Sequence, residues 1–460
     1  GWRESPAGWS RRAEGRKLMS IAELKRVSRR IQQAVLSAVE PSKSVRGALV
    51  RTSRGFAVRG NEFVTQGRLA VIAVGKASLA MTGAALDVLG PGGVSEGLVV
   101  IPHGYSADAL RGSGMRILHA GHPVPDDQGQ EAARQAEALV EGLGNPDLCL
   151  FLISGGSSSL LPDPMPDVSL QDLVDTTTLL LRCGAEIQEL NIVRKHLSGF
   201  AGGRLALTCR GTMVTLAISD VVGDDLSVVG SGPTVPDPST FSDALGVLAR
   251  CDLSTRVPVS VRTALEKGQA GLIEETPKAL PHRHAAVIVA SSALAVEAAA
   301  AEARACGFSA LVLTSSMTGE AREAGRLLAS VARESRRFGR PVPAPACIIA
   351  AGETTVSVRG DGTGGRNQEI ALAAALQLRN EPGILLTSFA TDGKEGNSEA
   401  AGAYASGATV AEGERAGLDA RSCLARNDAH AFLAAAGELI VTGPTGTNVN
   451  DISFALIEKR

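Results

Sequence analysis

The residues able to do chemistry in this chain gather in short glycine-, serine- and acid-bearing loops. Lys76 follows the β-branched run Val71, Ile72 and Val74 and precedes an alanine-rich stretch. A lysine at such a turn either meets an anion beside free backbone amides or is a solvated cation at a helix start. It is not a Walker A lysine, because Ala77 follows it and Ala70 stands where that motif needs glycine. Ser154-Gly155-Gly156-Ser157-Ser158-Ser159 comes straight after LCLFLI. Glycines let a backbone approach a ligand closely, and serines bind phosphate oxygens or cap a helix. The blander reading is a tight strand-to-helix turn. Asp220, Asp224 and Asp225 follow another apolar run. Clustered carboxylates there suit Mg²⁺, which takes one or two of them plus water and phosphate, or else they cap the turn.

Residues 360–365 fit G-x-G-x-x-G and end at Arg366. A dinucleotide fingerprint also expects an acid about 20 residues on, after the next strand. Glu381 lies before that strand and Asp392 is too distant. A phosphate loop closed by the fork-shaped cation Arg366 is the preferred reading. Asp392, in Thr391-Asp392-Gly393, ends the strand-like GILLTSFA, where a carboxylate can accept a hydroxyl proton or bind metal. Residues 442–448, TGPTGTN, form an uncharged glycine-threonine turn. The histidines show no H-E-x-x-H spacing, and no G-x-S-x-G is present, which disfavours a nucleophile-elbow hydrolase.

These loops need a scaffold. Residues 21–40 place apolar side chains at helical spacing. Strand-like runs at 71–74, 97–101, 148–153 and 212–218 alternate with helical stretches at 128–143, 169–182 and 186–207. That grammar predicts a doubly wound, mostly parallel sheet covered on both faces. The pattern lapses around 252–284 and then restarts with AAVIVA. An N-terminal α/β domain over 21–265, a linker at 266–283 and a smaller α/β domain over 284–460 are therefore expected. The polar loops fall beyond the strand ends, where open sheets bind ligands.

Composition narrows the function. Apolar residues make up 44% and charged residues 20%, an ordinary globular balance. The net charge of −2 gives no field for nucleic acid or an anionic membrane, and 3% aromatics argue against base stacking. No apolar run reaches the ~20 residues that span a bilayer. Seven cysteines form no C-x-x-C pair, which supports neither zinc nor a redox motif and fits a reducing, cytoplasmic setting. Residues 1–20 are basic and polar without a signal core, and read as a disordered leader.

VGKAS, GHPVPD, LISGGSSSLLP, ELNIVRKHLSG, GGRLA, SDVVGDD, SGPTVPD, GTGGRNQE, TDGKEGNSEAAGA and GTNVND occur in this order. Together they resemble the glycerate 2-kinases whose C-terminal half is the MOFRL domain, over roughly residues 20–458. The resemblance implies two α/β domains with the active site in the cleft between them. It implies ATP, a divalent ion such as Mg²⁺, and D-glycerate as acceptor. Lys76, Arg366 and Asp392 fall on catalytic positions. Ser154, Gly155, Gly156, Ser157 and Ser158 fall on the nucleotide loop, with Asn191 and Lys195 also matched. Asp220 and Asp224 are the candidate metal ligands. No nucleic acid or membrane partner is expected, and a homo-oligomer is compatible. Two other classes stay open: a nicotinamide-dependent hydroxypyruvate reductase, and a non-catalytic nucleotide-binding module.

Overall fold

The computed structural model describes residues 19–64, 66–281 and 283–459; the expected leader lies almost wholly outside them. A capping box on Ser20 and Glu23 starts the helix Ile21–Ala38, which buries Leu24, Ile31 and Val35. A small antiparallel meander follows: β1 (Leu49–Thr52), β2 (Gly55–Val58) and β3 (Asn61–Val64).

Six strands, wholly apolar at the centre of the sheet, then build one sheet. They are β4 (Leu69–Val74), β5 (Glu96–Pro102), β6 (Arg116–Ala120), β7 (Leu148–Ile153), β8 (Thr212–Ile218) and β9 (Ala285–Ala290). Every pairing is parallel, in the order β6-β5-β4-β7-β8-β9. All residues of β4 and β7 are buried, as a sheet with helices on both faces requires. The chain winds one way from β4 and the other way from β7, so the topological switch point lies between these two strands.

The remaining strands form a mixed sheet: β10 (Ser309–Met317), β11 (Ala346–Gly352), β12 (Ile384–Ala390), β13 (Gly402–Ser406), β14 (Leu439–Ile440) and β15 (Asp451–Ile457). Their order is β10-β11-β15-β12-β13-β14, and only β10–β11 is parallel. The start of β15 therefore lies beside the ends of β11 and β12: Asp451 pairs with Gly352 and with Ala390.

The structure corrects four expectations. Residues 285–290 were expected to open the second domain, yet β9 pairs with β8 and completes the first sheet. The stretch 266–283, expected as a linker, packs into the first unit: Gly268 lies against Phe241, Ile273 packs on the core of Leu190 and Phe241, and Glu275 bonds His196. Conversely, the helix Ile21–Ala38, assigned to the N-terminal domain, packs on the second sheet. Ser28 hydrogen-bonds Thr387, Gln32 donates to Tyr404, and Lys25 pairs with Glu438. The expected helix over 186–207 divides into Ile187–His196 and Arg204–Thr208, because Gly202 and Gly203 between them take left-handed conformations.

Candidate active site

Val74 pairs with Ile153, and Ile153 with Ala217, so the loops after β4, β7 and β8 leave the sheet side by side. The Lys76 amide donates to the Gly155 carbonyl at 3.0 Å, and the Ala77 amide donates to Ser154 Oγ at 3.1 Å. Lys76 itself is exposed, and its amino group makes no ion pair or hydrogen bond among the described residues.

The 154–159 loop feeds a single helical turn, Ser157–Leu160. The amides of Gly155, Gly156, Ser157 and Ser158 donate to no described residue. Ser157 Oγ is buried without a partner. Such convergent unused donors at a helix start are what a phosphate requires. Gly155 is needed for space, since a Cβ there would stand 2.1 Å from Asp220 Oδ2. Burial pushes the Asp220 carboxyl up to about 6, Glu353 adds to this, and Lys76 opposes it. Glu353 follows β11, so charges from both sheets act on one carboxylate.

Behind the serine loop lies a cavity of about 460 Å³, within the range of small-molecule sites. Phe151, Leu161, Leu173 and Phe200 give it apolar walls, with His122, Ser158 and Arg194 among the polar groups. His122, in the GHPVPD motif, was quoted in the sequence without a role. It lies against Gly156, and burial, then Lys76, holds its pKa below the ordinary value.

Two expected nucleotide ligands sit elsewhere. Lys195 is 3% exposed and pairs with Asp237 at 2.6 Å, while its neighbour Arg194 reaches the cavity. Asn191 accepts from Ser231 Oγ, which in turn bonds Ser158, so Asn191 supports the loop from behind.

The second sheet supplies Arg366, the first residue of the helix Arg366–Leu378. Its guanidinium bonds Glu353 at 2.6 Å and Asp451 at 2.9 Å. The same carboxylates raise its pKa against the effect of burial. Asp451 is buried, which lifts its own pKa to about 6 while Arg366 opposes the shift. Asp392 stands two residues past β12, where its Oδ1 accepts the Lys394 amide at 3.1 Å.

The loop at 360–365 is not the open phosphate cradle expected. Asn427 accepts from the Gly360 amide, Asp428 from Thr363, Asn397 from Gly364, and Glu395 from Asn367 and Gln368. Cβ atoms at Gly360 and Gly362 would strike residues 426 and 428. These glycines permit close packing, so the pattern carries no dinucleotide signal. Glu395, buried under this helix start, has its pKa raised to about 8, chiefly by burial and then by Asp451.

Among the described residues no three His, Cys, Asp or Glu side chains assemble a metal centre. Asp224 Oδ1 is buried without a partner and Asp220 stands on the same loop. This set fits a cation that brings most of its ligands with a nucleotide, not a resident ion.

Fold and site together define an α/β phosphotransferase without a P-loop. The comparisons agree. A domain of unknown function, DUF4147, matches residues 27–266, and the MOFRL family matches residues 346–451. A glycerate 2-kinase of Pyrococcus horikoshii is 39% identical, covering 96% of this chain and 99% of that one. A relative from Agrobacterium vitis that carries a hydroxypyruvate reductase name is 42% identical over 94% of each chain. The crystal structure of glycerate kinase from Thermotoga maritima superposes with a TM-score of 0.84 at 39% identity, covering 95% of this chain and 100% of that one. The chain belongs to the glycerate 2-kinase family, with its MOFRL unit at the C-terminal end.

Proposed function

We propose that this kinase transfers the γ-phosphoryl group of ATP to the 2-hydroxyl of D-glycerate, giving 2-phosphoglycerate and ADP. One observation carries the reading: four unused amides and an unpaired lysine converge at the switch point, in front of a nucleotide-sized cavity. The nucleoside fills the cavity beside Arg194, and its phosphates lie on the amides of residues 155–158 with Ser154 and Ser157 beside them. Lys76 neutralises charge on the transferring group. Arg366 keeps guanidinium donors beyond those given to Glu353 and Asp451, and directs them at glycerate or phosphate oxygen. Asp392 takes the proton of the attacking 2-hydroxyl as that oxygen bonds to phosphorus and the bond to the ADP oxygen breaks. Mg²⁺, when bound, would be held by Asp220 and Asp224 with phosphate oxygens and water, and would offset charge on the β- and γ-phosphates. The active site is thus assigned to the cleft between the two sheets' loops, and the reaction to the cytoplasm, where free thiols are the rule.

The test is a pair of assays on pure protein. ADP formation should require glycerate, ATP and Mg²⁺ together. NADH oxidation with hydroxypyruvate, in the absence of glycerate-dependent ADP formation, would replace this reading with the reductase.

A further inference from the structure

The helix Leu170–Arg182 forms one wall of the cavity through Leu173, Val174, Thr177, Thr178 and Leu181. These positions share one helical face. On the rest of the helix only Thr176 and Leu180 are fully buried, so the wall is lightly anchored. The residue that ends it is Cys183. Cys251 ends the helix Phe241–Arg250. The two Sγ atoms stand 2.6 Å apart, against about 2.05 Å for a disulfide bond. The pair is separated by 68 positions, so no spacing motif announces it. Cys183 is exposed and Cys251 is buried beneath it, the arrangement of an attacking and a resolving thiol. Burial, then Cys183 itself, pushes the Cys251 thiol up to about 11, which leaves Cys183 as the group that meets an oxidant first.

We infer that Cys183 and Cys251 form a redox-active dithiol site, which reacts with small-molecule disulfides and closes an intramolecular bridge that pins the cavity wall to the neighbouring helix. The Cys183 thiolate attacks one sulfur of the external disulfide, forming a mixed disulfide and releasing one thiolate. Cys251, losing its proton, then attacks the Cys183 sulfur and releases the second. The dithiol gives up two protons and two electrons, and the external disulfide leaves as two thiols. The required shift of the sulfurs is small, so the bridge captures the wall in the position seen here and leaves the cavity open. The inference stands on the sulfur geometry and does not depend on which substrate the cavity takes.

The full chain is treated with oxidised glutathione, digested without reduction and mapped by mass spectrometry. Peptides joined through Cys183 and Cys251 are expected, and dithiothreitol should separate them. Amide exchange across residues 170–182 should slow severalfold in the oxidised protein. Cys183→Ser, at an exposed position, should abolish both effects. In Cys251→Ala the reaction should stop at a glutathione adduct on Cys183. A lasting adduct on Cys183 of the unaltered chain, or a bridge to another cysteine, would overturn the pairing. A Cys183–Cys251 bridge with unchanged exchange at 170–182 would overturn its effect on the wall.

Discussion

The loops at 154–159 and 360–365 are both glycine-bearing and both lead into helices, yet they are used in opposite ways. The first leaves the amides of residues 155–158 open. The second has the amides of Gly360, Gly362, Thr363 and Gly364 taken by Asn427, Arg426, Asp428 and Asn397. The charged side chains differ in the same sense. Lys76 beside the first loop is exposed and unpaired, whereas Arg366 after the second is tied to Glu353 and Asp451. A glycine-rich string therefore identifies a ligand loop only when its N–H groups have no protein partner.

This contrast sets the expected effects of substitution. Lys76→Ala should lower kcat about 100-fold or more, the scale for losing one preorganised electrostatic donor, with an unchanged melting temperature. Arg366→Ala should lose as much activity and, unlike Lys76→Ala, should also destabilise the fold. The reason is that Asp451, 2% exposed, is left without its cation. About 3 kcal/mol is the expected loss, read by denaturant unfolding. Arg366→Lys should recover part of each, since a point charge replaces a two-pronged fork. Equal melting temperatures for the two alanine variants would erase the distinction drawn between the two cations.

Next in size is Gly155→Val, whose side chain would meet Asp220 and block the approach to phosphate. The KM for ATP should rise about tenfold or more while that for glycerate holds, which steady-state kinetics can separate. Ser157→Ala should weaken ATP by about 1.5 kcal/mol without loss of stability, because its hydroxyl has no partner in the fold. Normal ATP affinity in a folded Gly155→Val protein would show that the open amides serve something else. Asp220→Asn should move the Mg²⁺ titration to higher concentration.

The smallest effect concerns pH. The Glu395 pKa is raised to about 8, so the folded protein keeps a proton that the unfolded chain has lost above pH ~4.5. Stability from this group is therefore present at low pH and falls as pH rises toward 8. Asp220 and Asp451 act in the same sense but finish near 6, and the lowered His122, His196 and His284 act oppositely only below about 6.5. Between pH 6.5 and 8 the melting temperature should decline in the unaltered chain and decline less in Glu395→Gln. Parallel curves would mean that Glu395 is ionised throughout.

What was legible in the sequence follows from distance along the chain. The central parallel strands β4 and β7 are continuous apolar runs, and the loops that follow them stand next to them in the sequence. The place of β15 in the centre of its sheet depends on pairing with β11 and β12, so its local pattern did not reveal it. The state of Arg366 depends on Asp451, 85 positions later. Lys195 was matched to the nucleotide site by resemblance alone, and its pairing with Asp237, 42 positions on, has no local signal. The chemistry-bearing residue types were readable, whereas their partners were set by the tertiary fold.

The crossing of the helix Ile21–Ala38 onto the second sheet also has a consequence in time. Ser28 and its partner Thr387 are 359 residues apart. At a synthesis rate of about 5–20 residues per second, roughly 20 to 70 seconds separate their emergence from the ribosome. Throughout that interval Ser28 lacks Thr387, and Tyr404 and Glu438, the partners of Gln32 and Lys25, emerge later still, while the strands of the first sheet are complete by residue 290 and can already pair. The contacts that tie this helix to the second sheet can therefore form only after most of the chain has been made, although the helix itself is one of its earliest segments.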